Sequence, residues 1–311
     1  MKLLIHVKRL VITASYLKFT QLYYRIYYSL RKKIRVRYSH SYPLSLGSKA
    51  NFLTLASSII SYTTMTKESF TFLNQEYQFT LNEIDWNYSK YNKLWTYNLS
   101  YFDYLLQYDM TKEEGLAFIH AFISKLDTVK DGLMPFPISL RGINWIKFLS
   151  QYKIKDEKID DSLYAQYSIL MDNLEYHMLG NHLLENGFSL LFGAYYFQDE
   201  TFYAKSHKIL KDELNEQILE DGAHFELSPM YHQIMLFRVL DCINLVKNNN
   251  WKNQELLDLL INKAEVMLGW LNTITYENGD MPLLNDSANN IAPTTKELNE
   301  YALNLKLKIK N

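Results

Sequence analysis

Residues 111–127 read Thr111-Lys-Glu-Glu114-Gly-Leu116-Ala-Phe118-Ile119-His-Ala-Phe122-Ile123-Ser-Lys-Leu126-Asp127. Thr111 followed three positions later by Glu114 is a capping-box start, and the apolar residues behind it return at helical spacing. The same periodicity runs through 252–272, where Leu256, Leu257, Leu260, Ile261, Ala264, Met267, Leu268 and Leu271 share one face. It recurs over about 160–176, 183–197, 200–219 and 230–247. Glycine and proline fall mostly between these stretches, at Gly132, Pro135, Pro137, Gly180, Gly222, Pro229, Gly279 and Pro282. The pattern predicts an all-α chain of successive helical hairpins, with few or no short strands. One strand candidate, Tyr77-Gln-Phe79-Thr-Leu81, is expected to pair near Ser69-Phe-Thr-Phe72-Leu. No βαβ alternation appears, which excludes a doubly wound sheet.

Composition agrees with a folded chain. The 311 residues are 48% hydrophobic and 15% aromatic, enough for a large core in one domain or two. The single cysteine, Cys242, lies on an apolar helical face with Leu236, Val239, Leu240 and Ile243. It reads as a core residue and implies neither a disulfide nor a cysteine metal cluster.

Charge is distributed unevenly. The net −1 hides a start without any acidic residue before Glu68, in which residues 1–67 carry twelve Lys/Arg; the remainder holds 21 basic against 34 acidic residues. Residues 1–40 read as a basic amphipathic helical arm with Phe19, Leu22, Tyr23, Ile26, Tyr27 and Leu30 at helical spacing. The arm is expected to dock on the protein's own body through Phe19, Leu22, Ile26 and Leu30, with contact to an anionic membrane surface as the less favoured alternative. Ser39–Ser48 reads as the linker to a main domain over 49–311. Lys8, Arg9, Lys18 and Arg25 interrupt the apolar start, so no signal peptide or membrane-spanning helix is expected. Cytoplasmic location is the default, with a periplasmic or envelope-associated location left open. No nucleic-acid reader motif accompanies the charge, and no nucleic-acid partner is expected.

The chemistry is concentrated in Asp221-Gly-Ala-His224-Phe-Glu226-Leu-Ser228-Pro229-Met-Tyr231-His232. Ser228 suits a helix N-cap and Pro229 the first helical position, which places Tyr231 in the first turn. Unpaired backbone N–H groups there favour an anion, so the position is expected to ease proton exchange at the phenol. The alternative is a tyrosine packed on a neighbouring helix. A second segment lies upstream: Gly180-Asn181-His182-Leu-Leu-Glu185-Asn186-Gly187.

Together these two segments resemble the heparinase II/III-like polysaccharide lyases, whose α/α-toroid carries an Asn-His pair and then Ser-Pro-x-Tyr-His. Three more stretches match in order: Trp95-Thr-Tyr97-Asn98-Leu-Ser-Tyr101-Phe102-Asp103-Tyr104-Leu, Arg141-Gly-Ile-Asn144-Trp145-Ile, and Pro282-Leu-Leu-Asn285-Asp286-Ser287-Ala288. The resemblance implies an incomplete (α/α) toroid of about ten helices acting on a uronate-containing anionic polysaccharide by β-elimination. Members of the family usually follow the toroid with a β-sandwich-rich domain, and none is expected within these 311 residues. Three readings stay open: a toroid fragment, a toroid completed by a β-rich partner domain or chain, or a toroid that no longer catalyses.

By resemblance, Asn181 neutralises the uronate carboxylate, His182 serves as a second donor or base, and Tyr231 carries the proton. Such a reaction needs the carboxylate's charge offset as the C5 proton leaves. Arg141 is a candidate cation for the sugar, Trp95, Tyr101 and Trp145 candidate stacking faces, and Asn98, Glu185, His224, Glu226 and His232 further substrate contacts. The four cleft residues Asn181, His182, His224 and Tyr231 are expected to converge. Each has a structural alternative: Arg141 as a helix cap, the aromatics as core. His224-x-Glu226 with His232, or His177 with His182, lacks metal-site spacing, and no metal or cofactor is expected. Two rival functions remain: a toroidal glycoside hydrolase using two of Glu185, Asp221, Glu226 and Asp286, or a non-catalytic glycan-binding or assembly protein of envelope-polysaccharide synthesis.

Overall fold

The computed structural model describes residues 12, 15–66, 69–252 and 254–308. Ten α-helices are present among them: α1 (Phe19–Arg37), α2 (Lys93–Tyr101), α3 (Lys112–Ser124), α4 (Pro135–Gln151), α5 (Glu157–Asp172), α6 (Gly180–Phe197), α7 (Glu200–Gln217), α8 (Pro229–Asn248), α9 (Gln254–Ile274) and α10 (Thr295–Asn304). From α2 onward, alternate helices pack side by side. The inner series runs α2 on α4, α4 on α6, α6 on α8 and α8 on α10, while α3 lies on α5 and α7 on α9 outside it. This is the incomplete α/α toroid.

Sequence explains which helices go inside. The outer α7 and α9 bury single stripes such as Phe202, Ile209, Leu210 and Leu214, or Leu256, Leu260, Met267 and Leu271, as one-sided amphipathic helices should. The inner α4, α6 and α8 are buried almost all round. Their polar residues turn toward one another and form a buried column along the toroid's middle. Arg238 Nε meets Glu185 Oε1 at 3.3 Å, and Lys147 Nζ meets Asp241 Oδ2 at 2.8 Å. Tyr301 Oη donates to Asp241 at 2.8 Å, and Asn144 Nδ2 to Asp103 at 2.6 Å. Pairing of this kind is what makes buried charge tolerable.

The prolines at 135 and 137 do not separate helices, as the sequence reading had them, but sit in the first turn of α4, where the missing N–H costs nothing. Residues 46–58 run across the opposite ends of the inner helices: Asn51 N donates to Tyr196 O at 2.7 Å, Leu53 N to Ser150 Oγ at 3.2 Å, and Thr54 N to Asn249 Oδ1 at 2.9 Å. A small antiparallel sheet, β1 (Met65–Thr66), β2 (Ser69–Phe72) and β3 (Gln75–Gln78), caps α2. Its β2–β3 turn places Leu73 and Asn74 at positive φ. The expected pairing of these two strands is present, with the second beginning at Gln75 and ending before Phe79.

The arm docks by the face opposite to the one expected. Tyr24 stacks on Tyr176 at 4.7 Å, Tyr28 Oη donates to Leu174 O at 2.5 Å, and Arg31 pairs with Asp172 at 3.0 Å. Of the four expected docking residues, Phe19, Ile26 and Leu30 are 82%, 63% and 55% exposed and Leu22 is half-buried. Tyr28, Arg31 and Arg35 find specific acceptors at the end of α5 and in the loop after it, and Tyr24 a ring to stack on, partners that a purely apolar stripe lacks. The arm's first residues, 1–11, lie outside the described part. Among the described residues no helix is long and apolar enough to cross a membrane.

Candidate active site

Three loops meet where α6 and α8 begin. The first is 174–180, which ends in Leu179 at φ +59°, ψ −154° and Gly180 at φ +57°. For a non-glycine residue such a conformation costs on the order of 1–3 kcal/mol and persists only where its surroundings hold it. It turns the chain so that Asn181 and His182 open α6, half-buried. The second is 224–228. Ser228 caps α8 as anticipated, its Oγ accepting from Tyr231 N at 3.3 Å, with Pro229 at the first helical position. The third is 285–287: Asn285 Nδ2 donates to Leu227 O at 2.7 Å, and Ser228 Oγ donates to Asp286 O at 2.9 Å.

The loops bring four groups together. A side chain at Gly180 would come within 3.7 Å of Glu226 Oε1, so the loop before α8 lies directly against the start of α6. His182 Nδ1 is 3.0 Å from Glu175 Oε1, and its ring lies 4.7 Å from that of Phe136 in the first turn of α4. Tyr101 is 6.0 Å from Phe136 on the other side. Tyr231 is half-buried over Met230, Met281 and Ala292. N-terminal turns of α4, α6 and α8 therefore border one region, and their dipoles favour an anion there.

Electrostatics separates the members. Burial disfavours charge on His182, but the Glu175 hydrogen bond and the charges of Glu175, Glu185 and Glu226 outweigh it and raise its pKa. Tyr231 is raised too, by burial first and then by Asp286 and Glu226. That is opposite to the sequence expectation: the helix terminus is present, but two carboxylates and desolvation hold the phenol's proton. Glu226 is raised by burial and by Asp286. Among the described residues no three His, Cys, Asp or Glu side chains are placed to share a metal ion.

Residues 141–305 match the model of the heparinase II/III N-terminus. The chain belongs to the heparinase II/III family. Its fold is similar to that of heparan sulfate lyase HepC from Pedobacter heparinus, with a TM-score of 0.51 and 18% identity over 69% of this chain and 38% of that one. It is likewise similar to heparinase III, the BT4657 gene product, with a TM-score of 0.50 and 17% identity over 73% of this chain and 41% of that one. The chain thus spans about two fifths of the length of these solved structures. No curated protein matches it.

Of the residues the family resemblance singled out, His182, Glu226 and Tyr231 act on one another electrostatically, Tyr101 reaches them through Phe136, Asn181 precedes His182 in the first turn of α6, and Asn98 lies on α2. Asn98 Nδ2 donates to Leu94 O at 2.8 Å. The others are corrected by burial. Trp95 is enclosed, its Nε1 donating to Gln75 O at 2.9 Å, and fastens the small sheet to α2. Arg141 is enclosed over the Phe122 ring at 4.5 Å, donates to Gln166 Oε1 at 2.8 Å, and has its pKa pushed down to about 9 by burial. Trp145 packs edge-on against Phe102 at 5.3 Å. His224 and His232 are both enclosed: His224 Nε2 meets Gln217 Oε1 at 3.1 Å, and His232 Nε2 meets Met267 O at 3.0 Å. Burial lowers their pKa values to about 4 and about 3, so both rings are neutral at pH 7. Glu185 belongs to the axial column through Arg238.

Glu175 and Asn186 were missed. Asn186 accepts from Glu175 N at 2.9 Å and donates to Glu175 Oε2 at 3.0 Å and to Ser139 Oγ at 3.1 Å, fixing the carboxylate that faces His182. Asn186 lies one helical turn after His182, a spacing that marks a shared face. Glu175 sits in an irregular loop, where spacing gives no signal.

Proposed function

We propose that the chain cleaves a uronate-containing anionic polysaccharide by β-elimination. What supports this reading is membership of the heparinase II/III family together with the positions of Asn181 and His182 in the first turn of α6 and of Tyr231 in the first turn of α8, with Glu226 acting on both His182 and Tyr231. The Asn181 amide and His182, whose protonated form Glu175 favours, donate to the uronate carboxylate, so its charge is offset as the C5 carbanion character develops. Tyr231, as phenolate, takes the C5 proton; the electron pair forms the C4–C5 double bond, and the bond from C4 to its oxygen breaks. The phenol then returns the proton to the departing oxygen. A raised pKa makes Tyr231 a strong base once ionised and a competent donor afterwards, and requires alkaline pH to populate the phenolate.

The hydrolase alternative needs two free carboxylates across one bond, and Glu185 is committed to Arg238. An absorbance screen of anionic glycans distinguishes the readings. Elimination yields an ultraviolet-absorbing unsaturated uronate, whereas hydrolysis yields only new reducing ends. Binding without either product, with the full chain alone and with an added β-sandwich domain, would replace the lyase reading with a glycan-binding one.

A further inference from the structure

The face of α1 turned away from the body carries Phe19, Tyr23, Ile26, Tyr27, Leu30 and Ile34, all exposed. The helix is fixed from behind: Tyr24, Tyr28, Arg31 and Arg35 hold the loop after α5, Gln21 Nε2 donates to Met178 O at 2.9 Å, and Lys18 pairs with Glu216. The exposed stripe therefore cannot turn inward without breaking these bonds. Its charges are of one sign. Arg25, Lys32, Lys33 and Arg37 are exposed and form no ion pair among the described residues, Lys33 and Arg37 beside the apolar stripe and Arg25 and Lys32 on the helix's other flank, while Arg31 and Arg35 are used by Asp172. No acidic residue occurs in α1 or anywhere before Glu68.

We propose that α1 is an interfacial helix that lays this face on an anionic lipid surface. Its composition fits that solvent: aliphatic and phenylalanine side chains to enter the acyl boundary, tyrosines for the interfacial layer, and flanking Lys/Arg for lipid phosphates. No acidic group of α1 balances Lys33 and Arg37 beside the stripe, and anionic headgroups supply the counter-charges continuously. The docked side of α1 reaches Met178, just before the Asn181–His182 turn, so the surface and the candidate active site lie on adjoining parts of the molecule. The inference does not depend on the lyase reading.

The test is co-sedimentation of the full chain with vesicles of phosphatidylcholine alone and of phosphatidylcholine with phosphatidylglycerol. Binding is expected only to the anionic vesicles and is expected to weaken with salt. Phe19→Ser/Ile26→Ser/Leu30→Ser removes exposed apolar groups and should reduce partitioning by roughly tenfold or more, with circular dichroism unchanged. In a full-chain Leu30→Trp variant, the emission added over the five native tryptophans of the wild type should shift to the blue with anionic vesicles. Wild-type protein that stays in the supernatant at low salt would overturn the proposal. So would binding that the triple variant leaves intact, or concentration-dependent dimerisation lost in that variant without lipid binding.

Discussion

Glu185 and Glu175 contrast two regions of the same toroid. Glu185, on α6, faces Arg238 in the axial column with its neighbours Lys147, Asp241, Asn244 and Tyr301, all enclosed. Glu175, in the loop before α6, spends one oxygen on Asn186 and the other on His182, whose side chain stays one-third exposed. The column joins charges to each other; the rim joins charge to a group that still faces solvent. The difference teaches that an ionisable residue in this fold reports on function only when its partner remains reachable, and that the helix interior selects for pairing while the helix start selects for availability.

The column is the place to expect the largest loss of stability. Lys147→Met leaves Asp241 enclosed without its cation, and breaking a buried pair in this way costs about 3–5 kcal/mol. Urea unfolding should show it, and Lys147→Met/Asp241→Leu should regain much of the loss. Any turnover measured on the remaining folded protein should be nearly unchanged. A smaller effect is expected on acidification. His224 and His232 are neutral in the fold at pKa values of about 4 and about 3, below the roughly 6.5 of an unfolded histidine. The unfolded chain therefore binds more protons as pH falls, so the stability these rings contribute is complete above about 6.5 and is lost progressively toward pH 4 and below. Melting temperature against pH should fall over that window, and less steeply in His224→Gln.

At the rim the stability effects shrink and the catalytic ones take over. Asn181→Ala should change unfolding free energy by no more than about 0.5 kcal/mol while abolishing most glycan turnover. Glu175→Gln removes the hydrogen-bonded anion that raises His182. If protonated His182 offsets the uronate, the descending alkaline limb of kcat/KM should move to lower pH in this variant, because the imidazolium is lost sooner. An unmoved limb would assign Glu175 a purely structural role.

The sequence made the outer helices legible through single apolar stripes, and the Thr111 and Ser228 caps sit where they were read. It hid α4, because Arg141, Asn144 and Lys147 interrupt the apolar pattern at the column and two prolines stand at its start. Asn181, His182 and Tyr231 are proposed from motif resemblance. His224, His232, Arg141 and Trp145 could not be sorted from them, since the same residue types serve the column and the rim, and only burial separates the two. The direction of the Tyr231 shift was also hidden: Asp286 arrives from a loop far along the chain.

The central claim, that the rim reacts while the column holds, rests most directly on Tyr231→Phe, which keeps the ring and removes the exchangeable proton. Turnover of a uronate glycan, followed by ultraviolet absorbance of the unsaturated product, should fall by roughly 10²–10⁴, with glycan binding and urea midpoint close to wild type. Wild-type turnover retained in Tyr231→Phe would contradict the account.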